Sequence, residues 1–281
     1  MAVPTPHTDD HERTSATTPA DSAPNRSRKR RTGRRLLLST ALAGTAVLGL
    51  AAAPAWADPP PALPSNVTDP DGTFQPSFDY DGDGCYPTPA ISADGTLNPG
   101  LNLGGDVNGN CHDESDLDNT NSYSRSKCNN DWCAYMYGLY FEKDQAALGP
   151  GSAGHKHDWE HVVVWVNGGE AKYVSVSQHK GYETKAAGDI AWEETHPKVV
   201  YHKDGISTHA FRFASADEPP ENHKGAWQRP ALVSWDGYPE GIRDKLMGAD
   251  FGAAQLAIRD SHFADNLAKA KPSDIPFDPN A

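Results

Sequence analysis

Gly154-His155-Lys156-His157-Asp158-Trp159-Glu160 sets two histidines, two carboxylates and a tryptophan within seven residues. Carboxylate oxygens bind hard cations, and imidazole nitrogens bind borderline metals or carry protons. After His161 comes Val162-Val163-Val164-Trp165-Val166, a β-branched run that reads as a buried strand. The heptad is therefore expected as a loop that enters a core strand near Asp158. Side chains alternate along a strand, so Asp158 and Glu160 would share one face while Trp159 points into the core. His155 would join them from the loop. Carboxylates gathered on one point repel each other unless a cation or substrate lies between them. The competing reading is a solvated loop with its carboxylates paired to lysines.

Other stretches supply the elements that must hold these groups. Ala134–Phe141 is apolar on both alternating faces, as in a central strand, and it ends at Glu142-Lys143-Asp144. A Gly- and Ala-rich loop, Gln145–Ala153, separates Asp144 from the heptad. Lys172–Ser177 alternates as a strand and leads to Gln178-His179. Lys198–His202 and Thr208–Phe213 read as a strand pair joined by the turn Lys203–Ser207. His196, His202 and His209 could ligate a metal, although a strand histidine is more often satisfied by a neighbour. Helices are expected over Pro239–Leu246, with Gly248 after it, and from a Ser261 cap through Lys271, with Phe263 and Leu267 four apart. Leu103–Lys127, rich in Gly, Asn, Asp and Ser, reads as long loops held by disulfides.

Composition narrows the function. A 281-residue chain with 37% hydrophobic residues, 25 Gly and 23 Pro suits a loop-rich β protein. Formal net charge is −13; the first 57 residues hold 8 Lys+Arg and 4 Asp+Glu, leaving 17 and 34, a net −17, for the rest. A body that acidic is not expected to bind nucleic acid by neutralising phosphates, nor to be drawn to an anionic bilayer by charge alone. Residues 1–25 are polar and read as disordered. Arg26–Arg31 and Arg34-Arg35 precede an apolar stretch, Leu36–Ala53, and the small-x-small site Ala55-Trp56-Ala57. Residues 1–57 therefore read as an extension plus secretion signal, exported by the general or the twin-arginine route. A membrane anchor is the competing reading, against which Pro54 and the cleavage site speak. Residues 58–73 read as a Pro- and Asp-rich linker, and 74–281 as one domain.

Cys85, Cys111, Cys128 and Cys133 form an even set in an exported chain, where disulfides are expected. Three pairings can be drawn; Cys85–Cys111 with Cys128–Cys133 is favoured because each closes a local loop. A zinc site at Cys128-x4-Cys133 competes but lacks a second close ligand pair. Asp79-Tyr80-Asp81-Gly82-Asp83-Gly84 has the oxygen spacing of a calcium loop's front half, yet its twelfth position is Ala90 rather than Glu. A plain turn explains it equally well.

The heptad resembles the G-H-R-H-D-W-E signature of the necrosis- and ethylene-inducing-like proteins (NLPs), secreted cytolysins of plant-associated microbes, with Lys156 at the usual Arg. Ala134–Asp144 resembles the family's A-I-M-Y-x-x-Y-F-P-K-D segment, Gln178–Tyr182 is similar to its S-x-H-G-x-Y region, and Trp235–Gly252 resembles its carboxy-terminal pattern. The likeness runs from about Phe78 to about Ala270 and points to the multi-cysteine subgroup. It implies a mainly β, single-domain β-sandwich with a few peripheral helices, as in actinoporins and fungal lectins. It makes Asp144 a metal ligand beside His155, Asp158 and Glu160, and it supports the two disulfides and an extra calcium motif at Asp79, Asp81 and Asp83. One imidazole with three carboxylates is a hard set that favours magnesium or calcium, with manganese also admitted. Lys156, His157 and His179 are expected around it, His157 orienting a carboxylate and Lys156 either balancing the acidic cluster or meeting an anionic head group. The implied partner is the anionic head group of plant glycosylinositol phosphorylceramide sphingolipids, met by a monomer peripherally, with no span left after signal cleavage. Lytic members are expected to carry a tryptophan before the strand of His209; here that loop, Lys203–Ser207, has no aromatic. The alternatives are a non-lytic lectin-like module and a metal-dependent hydrolase, although neither H-E-x-x-H nor G-x-S-x-G occurs.

Overall fold

The computed structural model describes residues 58–179 and 181–281. The extension and secretion signal of residues 1–57 lie outside the described residues. In chain order the elements are α1 (Asp69–Thr73), β1 (Ser77–Tyr80), β2 (Asn121–Asn129), β3 (Trp132–Gln145), β4 (Gly154–Asn167) and β5 (Glu170–Gln178). They continue with β6 (Gly181–Ala186), β7 (Trp192–Glu193), β8 (His196–Lys203), β9 (His209–Phe213), β10 (Ala231–Ser234), α2 (Ile242–Gly248) and α3 (Asp260–Ala270). Six strands form one sheet in the order β10-β2-β3-β4-β5-β6. The second sheet is built on β8, which pairs with β1, β9 and the short β7.

Both faces of the larger sheet are covered. One packs Tyr137, Leu139, Phe141, Val162 and Val164 against Phe78, Tyr80, Val199, Tyr201 and Phe211 of the second sheet. The other packs Met136, Tyr140, Val163 and Trp165 against Leu246, Phe263, Leu267 and Phe277 of the helical carboxy-terminal layer. That explains why β3 and β4 read as continuous apolar runs: neither face meets water. The fold is the expected β-sandwich with peripheral helices. Helix α2 begins three residues later than Pro239 suggested, after Gly241 in a left-handed conformation, and α3 follows Arg259 rather than a Ser261 cap.

Two expectations need correction. Leu103–Lys127 is not all loop, because Asn121–Asn129 forms β2, between β10 and β3. Its small polar residues are buried and bonded rather than solvated. Asn121 Nδ2 donates to the carbonyls of Leu63 and Ala231, and Ser124 Oγ donates to Asp71 Oδ2. The stretch 58–73 is likewise packed rather than a free linker: Leu63 is buried and its amide donates to Asn121 Oδ1. The disulfides are Cys85–Cys111 and Cys128–Cys133, as favoured. The second joins directly opposed residues of the β2–β3 hairpin, which leaves no thiols there for zinc.

Candidate metal centre

The heptad lies within a strand from its first residue, since β4 begins at Gly154. The loop expected before Asp158 is absent for a backbone reason. Gly154 adopts φ 139°, and a Cβ there would lie 2.1 Å from the carbonyl oxygen of Asp144. Only glycine lets the two strands close on each other at this point. Asp144 then pairs directly with His155 across the β3–β4 ladder. Two residues eleven positions apart thus become neighbours.

His157 is the other departure from a regular strand, with φ 61°. One left-handed residue breaks the two-residue alternation, and His155 can join the even-numbered Asp158. Asp144, His155 and Asp158 each offer a ligand atom within 4.8 Å of the others. Their cleft, about 410 Å³, is also lined by Glu160, Ser177, His179, Tyr182, Thr208, His209 and Lys269. Asp158 and Glu160 share it as expected, while Trp159 packs with Tyr123, Tyr140 and Phe251.

Each group is held by a neighbour. His155 Nδ1 lies 2.6 Å from the His157 carbonyl oxygen. A carbonyl only accepts, so Nδ1 is the donor and Nε2 is the ring nitrogen left to meet an ion, the usual arrangement of a metal-binding histidine. Asp144 accepts from the His209 amide at 2.9 Å and faces His209 Nδ1 at 2.7 Å. Asp158 accepts from the Tyr201 hydroxyl at 3.0 Å and the Trp159 amide at 2.9 Å. Glu160 stands outside the tight cluster, its carboxyl bonded by the Ser177 hydroxyl. Burial, reinforced by the Asp144 charge, holds the Asp158 carboxyl well above the usual carboxylate range. Burial and the Asp158 charge do the same to Glu160.

The donor set fits a hard divalent ion. Two buried carboxylates and one bare imidazole nitrogen converge, and desolvation makes their joint ionisation unfavourable without added positive charge. Asp144, His155 and Asp158 would hold such an ion, with Glu160 at the next distance.

Other expected residues fall elsewhere. Lys156 is exposed and does not line the cleft. The His157 side chain turns away from it, its Nδ1 2.6 Å from the Tyr140 hydroxyl; its carbonyl, not its ring, does the orienting, and toward His155 rather than a carboxylate. His179 is on the rim, its Nε2 3.3 Å from Asp204. Of the three strand histidines, His209 lies at the site, while His196 Nδ1 bonds the Gln75 carbonyl. Asp79, Asp81 and Asp83 do not gather. Asp79 is buried and accepts from Asn222 Nδ2 and the Glu221 amide, Asp81 meets Arg212, and Asp83 is 3.7 Å from His209 Nε2. No motif in the sequence marks Tyr201 or Ser177 as a site residue. Only their parity in alternating strands hinted that they face inward.

The family model described as "Necrosis inducing protein (NPP1)" matches residues 69–270. "NLP effector protein 10" of Phytophthora capsici is 31% identical over 239 residues, covering 83% of this chain and 95% of that protein. A solved structure described as "NLPPya in complex with mannosamine" superposes with a TM-score of 0.65 at 29% identity, over 76% of this chain and 96% of that one. One described as "non-toxic HaNLP3 protein" gives a TM-score of 0.63 at 29% identity, over 76% and 97%.

Proposed function

The chain belongs to the necrosis-inducing protein family, and on that premise we propose that it is a secreted cytolysin that docks on plant sphingolipid head groups through a divalent cation in the Asp144–His155–Asp158 cleft. The observation that carries this reading is the convergence of those three side chains beside Glu160 in an open cleft. Magnesium or calcium suits the set best, with manganese next. A bound ion supplies positive charge and open coordination positions for sugar hydroxyls and phosphate. The chain's own residues hold the carboxylates in place, present the bare His155 nitrogen and line the cleft with polar groups. The structurally similar complex with mannosamine supports a sugar as the occupant. Among the described residues no helix is long and apolar enough to cross a membrane. The role proposed is binding, not turnover.

The test is sedimentation with vesicles containing glycosylinositol phosphorylceramide, in magnesium or in chelator. Chelator, or Asp158→Asn, should lower bound protein at least about tenfold. Equal binding in all arms would refute the coupling of ion and head group. A non-lytic, lectin-like reading is favoured by one feature: the loop before β9 exposes Ile206 but no aromatic ring. Vesicle binding without dye leakage would select it.

A further inference from the structure

Tyr86 gathers a second set of side chains, none of which lines the cleft. Its ring stacks on His112 with centroids 3.9 Å apart and 24° between planes. Its hydroxyl accepts from the His223 amide at 3.0 Å and lies 2.8 Å from His223 Nδ1. The two imidazoles stand 5.2 Å apart, centroid to centroid. We propose that His112 and His223 form a bidentate imidazole site for a divalent transition-metal ion of the copper, nickel or zinc class.

The protonation pattern supports this. His112 Nδ1 lies 2.5 Å from the Gly84 carbonyl oxygen. That oxygen only accepts, so Nδ1 bears the proton and Nε2 is bare. His223 Nδ1 is likewise engaged, by the Tyr86 hydroxyl at 2.8 Å, so Nε2 is the ring nitrogen left to meet an ion. Both rings are thus engaged through Nδ1, leaving Nε2 as the ligand atom. Rings that hold one ion through Nε2 at about 2.0–2.1 Å place their centroids roughly 4.5–5.2 Å apart for angles from square to tetrahedral. The observed spacing falls at the tetrahedral end.

The site is also stapled and accessible. Cys85 and Cys111, the residues before Tyr86 and His112, are disulfide-bonded, and the Tyr86 amide donates to the Cys111 carbonyl at 2.7 Å. The stacked pair is therefore fixed before any ion arrives. His223 is exposed and His112 partly so, which leaves an entry path. Asp83 and Asp113 place negative charge around His112, while the ammonium of the neighbouring Lys224 is engaged by Asp118. Two imidazoles with water in the remaining positions suit copper, nickel or zinc, and not the hard ions that suit the carboxylate cleft.

The untagged chain is titrated with copper(II), nickel(II) or zinc(II) at about pH 7.5, where imidazole is mostly neutral, with magnesium in excess. Heat should report a site that either His112→Ala or His223→Ala weakens at least about tenfold, told apart from any binding in the carboxylate cleft because it persists in His155→Ala. The copper form should show two equatorial nitrogens by electron paramagnetic resonance. His112→Gln and His223→Gln serve if an alanine variant unfolds. Affinity unchanged by substitutions at 112 and 223, or lost with His155→Ala alone, would overturn the proposal.

Discussion

The Tyr201 side chain has a single polar atom, and that atom is buried against Asp158. Its ring is clamped by Phe141 on one side, with centroids 3.9 Å apart, and stacks on His209 at 5.0 Å. A hydroxyl held this firmly sets the direction of the carboxylate it serves. Tyr201→Phe removes the donor and little volume, so the strand should remain intact. Ion affinity should fall about 10-fold or more, as when other orienting partners are lost, and calorimetric titration with magnesium would measure it. Unchanged affinity would mean that Asp158 is oriented by its own backbone. A second carboxyl shows the cost of burial without a cation. Asp116, only 7% exposed, is raised to about 6 by burial, aided by the charges of Asp113 and Asp58. Its folded value exceeds the unfolded one, so the native state holds the proton longer. Stability from this group is full below 3.8 and is lost as pH rises toward about 6. Asp116→Asn should flatten that slope, worth at most about 3 kcal/mol. Urea unfolding at several pH values from 4 to 7 would show a slope unchanged by the substitution if the assignment is wrong.

At the level of elements, the two disulfides have unequal tasks. Cys128–Cys133 closes a hairpin that the β2–β3 ladder already closes, with a separation of 5. Cys85–Cys111 spans 26 residues, most of them without regular structure. By loop entropy, Cys85→Ser with Cys111→Ser should cost about 3.5 kcal/mol, and the other pair about 2 kcal/mol. Urea midpoints of the two double variants would reverse if local strand pairing depended on the shorter bridge. Other elements differ in how far they could be read beforehand. The strands β3 and β4 were legible because burial on both faces leaves an unbroken apolar run. The strand β2 was not, since Asn-Ser-Tyr-Ser satisfies its polarity through Leu63, Asp71 and Gln75, all distant in sequence. The site shows the same division. The shared face of Asp158 and Glu160 follows from strand period alone. The left-handed turn at His157 has no residue-type signature, and it makes His155 part of the set. Tyr201, Ser177 and His209 arrive from three other strands; the sequence offers His209 as a candidate ligand by residue type, but nothing local places any of the three beside Asp158.

The whole molecule carries its charge against its proposed target. Residues 58–281 have a net −17, and an anionic membrane repels such a body until an ion intervenes. Repulsion between separated charges is screened over about 30 Å at 0.01 M salt and about 8 Å at 0.15 M. In chelator, therefore, adding sodium chloride should raise the small amount of protein that sediments with phosphatidylserine vesicles. A protein held by a basic patch would respond in the opposite sense, since salt weakens attraction between opposite charges. With magnesium and the glycosylated sphingolipid present, binding should depend far less on sodium chloride, because short contacts within the cleft are poorly screened. The two salt series can be run on the same protein by vesicle sedimentation. A fall in binding with salt in chelator would show that a local cationic surface, not the cleft, brings the protein to the membrane.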